Sequence, residues 1–176
     1  ISGKVLAALA AKPGEQFVQP RLQGENDFVF MLKSSQSKSV IIWNWKDQII
    51  RDSVQLGALN ASHPYLSGDE IYFNLPVNGV DQVVRMSLKS HQMSVVTQEK
   101  YGAYNGVPFH GKLVYSAYTA FGHKVAEGDL VDKGRVDQAE HHLKSVTDSI
   151  KSYSSTTYSK WNIINPYAWG PLVNSQ

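Results

Sequence analysis

The chain has 176 residues, of which 42% are hydrophobic and 18% charged, a composition that fits one globular domain and is too apolar for a disordered chain and too polar for a membrane protein. Seventeen basic and 15 acidic side chains leave a net charge of +2, without the basic stripe typical of nucleic-acid-binding proteins. The absence of cysteine excludes a disulfide framework, cysteine-ligated zinc, iron–sulfur clusters and a cysteine nucleophile. No apolar run reaches the roughly 18 residues that a transmembrane helix needs.

The first predicted element is a strand near the N-terminus. Residues 4–12 have high helix propensity, but Pro13 and Gly14 stop any helix, and we expect residues 3–9 to form the last strand of a preceding repeat. The chain begins at Ile1 without a signal peptide. We therefore expect it to be a processed or excised piece of a longer protein.

A pattern with a period near 43 residues follows. Pro20, Pro64 and Pro108 are spaced 44 residues apart, and a short extended stretch precedes each of them. A glycine-containing turn and an apolar triplet come next, and polar links then lead to further strands. Asn78-Gly79 is the strongest hairpin signal, because a type I′ turn needs a positive φ at both central residues. The predicted strands of the repeat cover residues 28–30, 40–45, 49–54, 71–73, 82–87, 92–97, 113–115 and 123–127.

Four short strands in about 40–45 residues are typical of one blade of a β-propeller. The predicted fold class is therefore all-β: a partial β-propeller of about three four-stranded blades over residues 1–130. An all-β sandwich with regularly spaced turns is the alternative. Because propellers usually close with about four to eight blades, either the chain is part of a larger propeller or two copies complete a six-bladed ring.

The pattern changes after Leu130. Apolar residues at steps of three and four predict an amphipathic helix over about 132–152, within a segment 131–153. A Ser/Thr-rich linker and an aromatic, proline-containing tail occupy residues 154–176. A tail this rich in aromatic residues is expected to dock on another surface.

The repeat resembles those of TolB-like β-propellers. The turns at residues 66–70 and 109–112 resemble that family's serine-proline-aspartate-glycine turn in degenerate form. Residues 71–104 and 113–122 are similar to the last blades of large Bacteroidetes-type outer-membrane proteins, in which a propeller precedes a β-barrel. The segment from Tyr158 to Leu172, which contains Trp169-Gly170-Pro171, is similar to the junction before that barrel. The resemblance implies a location in the periplasm or at the cell surface, associated with the outer membrane.

The sequence contains no glycine-x-serine-x-glycine elbow, no phosphate-binding glycine loop and no histidine-glutamate-x-x-histidine motif. Trp43 and Trp45 alternate along one strand, so both rings are expected on one side of it, either in the core or as a platform for a sugar or peptide. His63 and His110 lie near the repeated prolines and are expected near one face of the ring, and Arg85 is expected in an exposed or inter-blade contact. The complete set of expected ligand or partner contacts is Trp43, Trp45, His63, Arg85, His110, Trp161 and Trp169.

The predicted function is that of a non-catalytic interaction or scaffold module in the bacterial cell envelope, which binds a protein or an envelope polymer. No catalytic residue, cofactor, metal or nucleic-acid partner is expected, and contact with the membrane is expected only through a downstream barrel. Two alternatives remain open: a propeller that caps a hydrolase or peptidase domain of the same parent chain, and a carbohydrate-binding propeller.

Overall fold

The computed structural model describes residues 4–136, and this part of the chain is all-β. Residues 4–136 contain no helix, and hence none long and apolar enough to cross a bilayer. The strands are β1 (Gln16–Gln23), β2 (Asp27–Lys33), β3 (Lys38–Asn44), β4 (Ile49–Gly57), β5 (Ser62–Ser67), β6 (Glu70–Val77), β7 (Val80–Ser87), β8 (Met93–Val95), β9 (Ala103–Phe109), β10 (Lys112–Thr119), β11 (Gly122–Asp129) and β12 (Gly134–Arg135).

These strands form three antiparallel sheets that follow the sequence repeat. The first sheet has the order β1-β2-β3-β4, and the third has the order β9-β10-β11. The second sheet contains β5-β6-β7-β8, and β12 returns to pair with the outer edge of β8. Every strand predicted for the repeat overlaps one of these elements, so the expectation of an all-β fold is confirmed.

Two predictions about the ends of the repeat are wrong within the described residues. Residues 4–9 form no strand, although Ala7 and Leu9 pack on the first sheet. Residues 131–136 form no helical turn: Gly134 and Arg135 pair with β8 instead. The remainder of the predicted helix, and the linker and tail with Trp161 and Trp169, lie outside the described residues.

The tightest turn of the repeat has the predicted geometry. Strands β6 and β7 pair from Glu70↔Ser87 to Val77↔Val80 without a register shift. The two residues between them, Asn78 and Gly79, have φ angles of 51° and 80°, as a type I′ turn requires.

The middle sheet is covered on both faces. Ile71 and Phe73 of β6 belong to the apolar cluster shared with the first sheet, whereas Tyr72 between them belongs to the cluster shared with the third. All three side chains are at most 1% exposed. Because neighbouring residues of a strand point to opposite faces, this arrangement requires a sheet on each side of the middle one, which explains why β6 and β7 do not alternate between apolar and polar residues.

The second and third sheets approach each other closely at Gly106 of β9. A Cβ atom on Gly106 would lie 2.5 Å from Cγ1 of Val83, a fully buried residue of β7. Glycine at position 106 therefore lets the backbone of β9 approach the middle sheet directly.

A hydrogen bond also joins the third sheet to the segment that follows β8. The hydroxyl of Tyr115 in β10 donates to Glu99 over 2.7 Å, and burial together with this hydrogen bond raises the pKa of Tyr115 to about 12.

Candidate functional site

Strands β1, β5 and β9 begin the three sheets, and each lies at an edge of its sheet. Two side chains of β1 reach across to the other two strands: Gln19 contacts His63 of β5, and Arg21 contacts Asn105 of β9. The three edges therefore converge on one side of the array. We call β1, β5 and β9 the inner strands.

Each inner strand contains a β-bulge at the corresponding position. Pairing is interrupted between Val18 and Arg21, between Ser62 and Tyr65, and in β9 opposite the step from Val114 to Ser116. The bulges hold the only positive-φ residues of the inner strands, Gln19, His63 and Asn105, with φ angles of 56°, 54° and 56°. A non-glycine residue with a positive φ is uncommon, and bulges re-aim side chains at sheet edges and beside functional sites.

The bulges are held in place from the neighbouring sheet. The backbone N–H of His63 donates to Oε1 of Gln19 over 2.7 Å. In the same way, the backbone N–H of Asn105 donates to Oδ1 of Asn74 over 3.0 Å, while the Asn74 amide donates to the carbonyl of Ala103. Asn74 is only 2% exposed, and its two hydrogen bonds satisfy backbone groups of the bulged strand, which would otherwise carry a desolvation cost.

Arg21 lies among these bulges. Its Nη2 donates to Oδ1 of Asn105 over 3.4 Å, and its guanidinium lies 5.9 Å from the centre of the Tyr65 ring, within the range of a cation–π contact. Arg51 and Arg85 both pair with carboxylates, whereas no carboxylate of residues 4–136 lies within 4.0 Å of Arg21. We call this group the inner-strand cluster; its members are Gln19, Arg21, His63, Tyr65 and Asn105.

The contacts with Gln19 favour one tautomer of His63. Because Oε1 of Gln19 accepts from a backbone N–H, the amide nitrogen of Gln19 faces Nδ1 of His63, at 3.5 Å. An amide nitrogen can only donate, so Nδ1 is the acceptor and the neutral ring carries its proton on Nε2. Desolvation and the nearby charge of Arg21 lower the pKa of His63 below its usual value of 6.5, which favours this neutral form at pH 7.

Trp43 and Trp45 lie together on the outer face of the first sheet, as the alternation predicted. Trp43 is 8% exposed and joins Phe30 and Ile41 in a cluster against which Phe28 and Trp45 also pack. We call this surface the end face. Residues of the N-terminal segment, including Ala7 and Leu9, cover part of it.

A groove of about 490 Å³ runs along the end face. It is lined mainly by apolar and aromatic side chains, which are Leu6, Ala7, Leu22, Phe28, Trp43 and Trp45, together with Lys4 and Glu25. The indole N–H of Trp45 donates to the carbonyl of Glu25 over 3.1 Å, whereas the buried indole N–H of Trp43 has no hydrogen-bond partner among the described residues.

Arg85 of β7 forms its ion pairs within its own sheet, with β6 and with the segment that leads into β12. It pairs with Glu70 at 3.3 Å and with Asp132 at 2.5 Å. Burial of Arg85 opposes its charge, but the two carboxylates and Tyr72 outweigh this effect and raise its pKa. These contacts connect the middle sheet to the chain that leads into β12, so they account for Arg85 without a ligand.

His110 does not accompany His63, and this expectation is wrong. His63 lies at the second residue of β5, whereas His110 follows the last residue of β9 and has a φ of 48° in the turn to β10. The position in β9 that corresponds to His63 is Asn105. Pro108 is likewise two residues late, because Gly106 follows Asn105 as Pro20 follows Gln19 and Pro64 follows His63.

A serine–histidine contact occurs on the outer face of the third sheet. Ser116 Oγ lies 3.0 Å from Nδ1 of His123, whose ring packs against Tyr104 and Tyr118. Catalytic use of such a pair requires a third group that orients the histidine, and Nε2 of His123 has no such partner in the described part of the chain. That part also contains no group of three or more side chains arranged to hold a metal ion.

Sequence reasoning included His63 in the candidate site but missed Gln19, Arg21, Tyr65 and Asn105. The available signal was the recurrence of a polar residue directly before Pro20 and Pro64. That signal fails in the third repeat, where Asn105 precedes a glycine. An alignment anchored on the apolar triplets, which recur after 43 and 42 residues, brings Asn105 close to the correct position.

The described residues thus define an all-β protein of three packed antiparallel sheets, with a polar cluster on the inner strands and an aromatic end face. No protein-family model matches the chain, and no curated protein matches it either.

Proposed function

We propose that the chain is a non-catalytic β-propeller module of a bacterial cell-envelope protein and that it binds a protein or an envelope polymer. The three sheets are its blades. The observation that supports this proposal most directly is the end face, whose aromatic and aliphatic side chains resemble those buried between the sheets. A blade that has a neighbour on only one side leaves such a face open.

The chemistry of the end face favours another sheet as its occupant. Trp43 and Phe30 are 8% and 4% exposed even before any partner is added, so their rings already serve as packing surface. Leu22, which lines the groove, is 56% exposed. A sugar platform needs an accessible ring face, and of the two tryptophans only Trp45 is partly exposed, so the end face supports the carbohydrate-binding alternative less well.

The resemblance to TolB-like repeats supports an envelope location, in the periplasm or at the cell surface. Under this proposal the covering sheet comes either from further repeats of a parent chain or from a second copy that completes a six-bladed ring. A cap on a hydrolase domain is the competing proposal, and it requires a hydrolase domain in the same gene.

Two measurements test the proposal. The first is to sequence the gene on both sides of this segment: repeats of 40-odd residues upstream and alternating barrel strands downstream support an outer-membrane propeller, whereas a hydrolase domain supports the cap. The second is sedimentation equilibrium of the 176-residue chain. If the reading frame has no further repeats, we expect a dimer that Leu22→Glu dissociates.

A matched control for that substitution is Ile49→Glu on β4. Ile49 is 53% exposed, close to the 56% of Leu22, but it pairs with Asn44 and is absent from the groove. It should leave the mass unchanged. A monomeric chain whose gene lacks further repeats would overturn the propeller proposal.

A further inference from the structure

The inner-strand cluster is separate from the end face, and core packing does not explain it. Its five side chains come from three sheets, and residues 84 positions apart, Arg21 and Asn105, meet at 3.4 Å. Burial does not require these polar groups to converge, because Gln19, Arg21 and Tyr65 are only partly buried while His63 and Asn105 are exposed. Three of them lie in backbone bulges and have a positive φ, which is uncommon for non-glycine residues.

The cluster combines one positive charge with further hydrogen-bond donors. The guanidinium of Arg21 is oriented by the Tyr65 ring and by one hydrogen bond to Asn105, and a guanidinium has five N–H donors. The neutral His63 adds an Nε2–H donor, because its Nδ1 faces the Gln19 amide. Several donors without a paired carboxylate are suited to an anion.

The charge of the cluster indicates which anion. Arg21 is its only permanent cation, so a monoanion would be neutralised, whereas a phosphate dianion would be left with excess negative charge. A carboxylate also matches the planar fork of an arginine with two parallel hydrogen bonds. We propose that the inner-strand cluster binds a carboxylate of a peptide-like ligand, with Arg21 as its anchor and His63 as a second donor.

The test is an NMR titration of the full chain, which follows the Nε–H resonance of Arg21 and the ring resonances of His63. The probe is N-acetylglycine, which carries one carboxylate next to an amide. N-acetylglycinamide is the neutral control, and inorganic phosphate is the competing anion. We expect saturable shifts with N-acetylglycine, none with the amide, and weaker binding of phosphate.

Arg21→Gln is the first variant. Since a hydrogen bond to a charged group contributes about 1.5–3 kcal/mol, its loss should weaken binding of N-acetylglycine by roughly 10- to 100-fold. Arg51→Gln is the matched control, because it removes the same charge from β4, where Arg51 pairs with Asp27. The control should bind as the wild type does.

A second variant keeps the test valid if Arg21→Gln disturbs folding. Asn105→Asp changes the residue that already contacts Arg21, and aspartate tolerates the positive φ nearly as well as asparagine. Its carboxylate should form an ion pair with the Arg21 guanidinium and thereby abolish the saturable shifts caused by N-acetylglycine. Unchanged binding in both variants, equal binding of the amide, or tighter binding of phosphate would each overturn the carboxylate assignment. None of these outcomes bears on the end face, so the propeller proposal is tested separately.

Discussion

The contact between Gly106 and Val83 gives the sharpest test of how the second and third sheets pack. In Gly106→Ala, the new methyl group would lie 2.5 Å and 2.9 Å from the two γ-carbons of Val83, which is fully buried. Overpacking of this kind costs about 1–3 kcal/mol. Alanine also lowers the conformational entropy of the unfolded chain, which offsets about 0.4–1 kcal/mol of this cost. We expect Gly106→Ala to lower the free energy of unfolding by about 1–2 kcal/mol.

The partner substitution makes the prediction specific. Val83→Ala removes two buried methyl groups and should cost about 2 kcal/mol. In the double variant the γ-carbons that clash are gone, and the methyl group added at position 106 occupies part of the space they leave. The two costs should therefore not add: we expect the double variant to be about 1–2 kcal/mol more stable than the sum of the single changes predicts.

The assay is urea unfolding of the full chain, followed by far-UV circular dichroism. Gly128→Ala in β11 is the control, because a Cβ there would lie 3.6 Å from Tyr115, an ordinary contact distance. It should be neutral or slightly stabilising. Costs that add to within about 0.5 kcal/mol would refute the packing of β9 against β7.

Three further predictions concern buried and titratable polar groups. Gln82, which is 6% exposed, forms hydrogen bonds with Thr97 and with both backbone groups of Glu99. In a urea titration Gln82→Leu should therefore lower the free energy of unfolding by about 1–3 kcal/mol. The same change at the exposed Gln55 should have little effect, and equal costs at the two positions would contradict the role of these hydrogen bonds. Trp43→Phe removes a buried indole N–H that has no partner among the described residues and keeps an aromatic ring in the cluster. Thermal unfolding should therefore show that it costs less than the about 3–5 kcal/mol of Trp43→Ala, and equal costs for the two variants would contradict this prediction. Because the pKa of His63 is lower in the folded chain than its usual 6.5, the unfolded chain binds the proton more readily. The contribution of His63 to stability, which is complete above pH 6.5, should therefore decline as the pH falls through that value. Urea midpoints measured between pH 8 and 5 should decline less steeply for His63→Asn than for the wild type, and equal slopes would count against the prediction.

The strands were predictable because each one is specified by local sequence. The apolar triplets, the runs such as Val40-Ile41-Ile42, and the Asn78-Gly79 turn all act within a few residues. The prediction failed where long-range pairing decides. Gly134 and Arg135 have no strand pattern of their own, and they become β12 because β8 offers them a free edge.

Val136 illustrates the same limit. Its spacing to later apolar residues predicted the face of a helix, but its side chain packs against the core shared by the first two sheets, and its N–H donates to the carbonyl of Met93. The inner-strand cluster was hidden for a related reason. Which residues of β1, β5 and β9 become bulged depends on their pairing with β2, β6 and β10. No local propensity marks Gln19 as left-handed, and the general tolerance of asparagine for a positive φ does not single out Asn105.

The bulges also explain how three open edges can be tolerated together. An edge strand presents unpaired N–H and C=O groups that invite another strand to pair. In β1 and β5 the second residue of each bulge is a proline, Pro20 or Pro64, which has no backbone N–H. In β9 that position is Gly106, where the backbone lies against Val83.

The N–H groups that the bulges of β5 and β9 expose donate hydrogen bonds to side chains. The N–H of His63 donates to Gln19, and the N–H of Asn105 donates to Asn74. Each of these bonds joins two sheets, so the contacts that occupy the edges also fix the distance between the edges. The polar side chains at the bulges are thereby held close enough for Arg21 of the first sheet to reach Asn105 of the third. Protection of the edges and assembly of the cluster depend on the same few bonds, and a substitution at Asn74 should therefore disturb both stability and ligand binding.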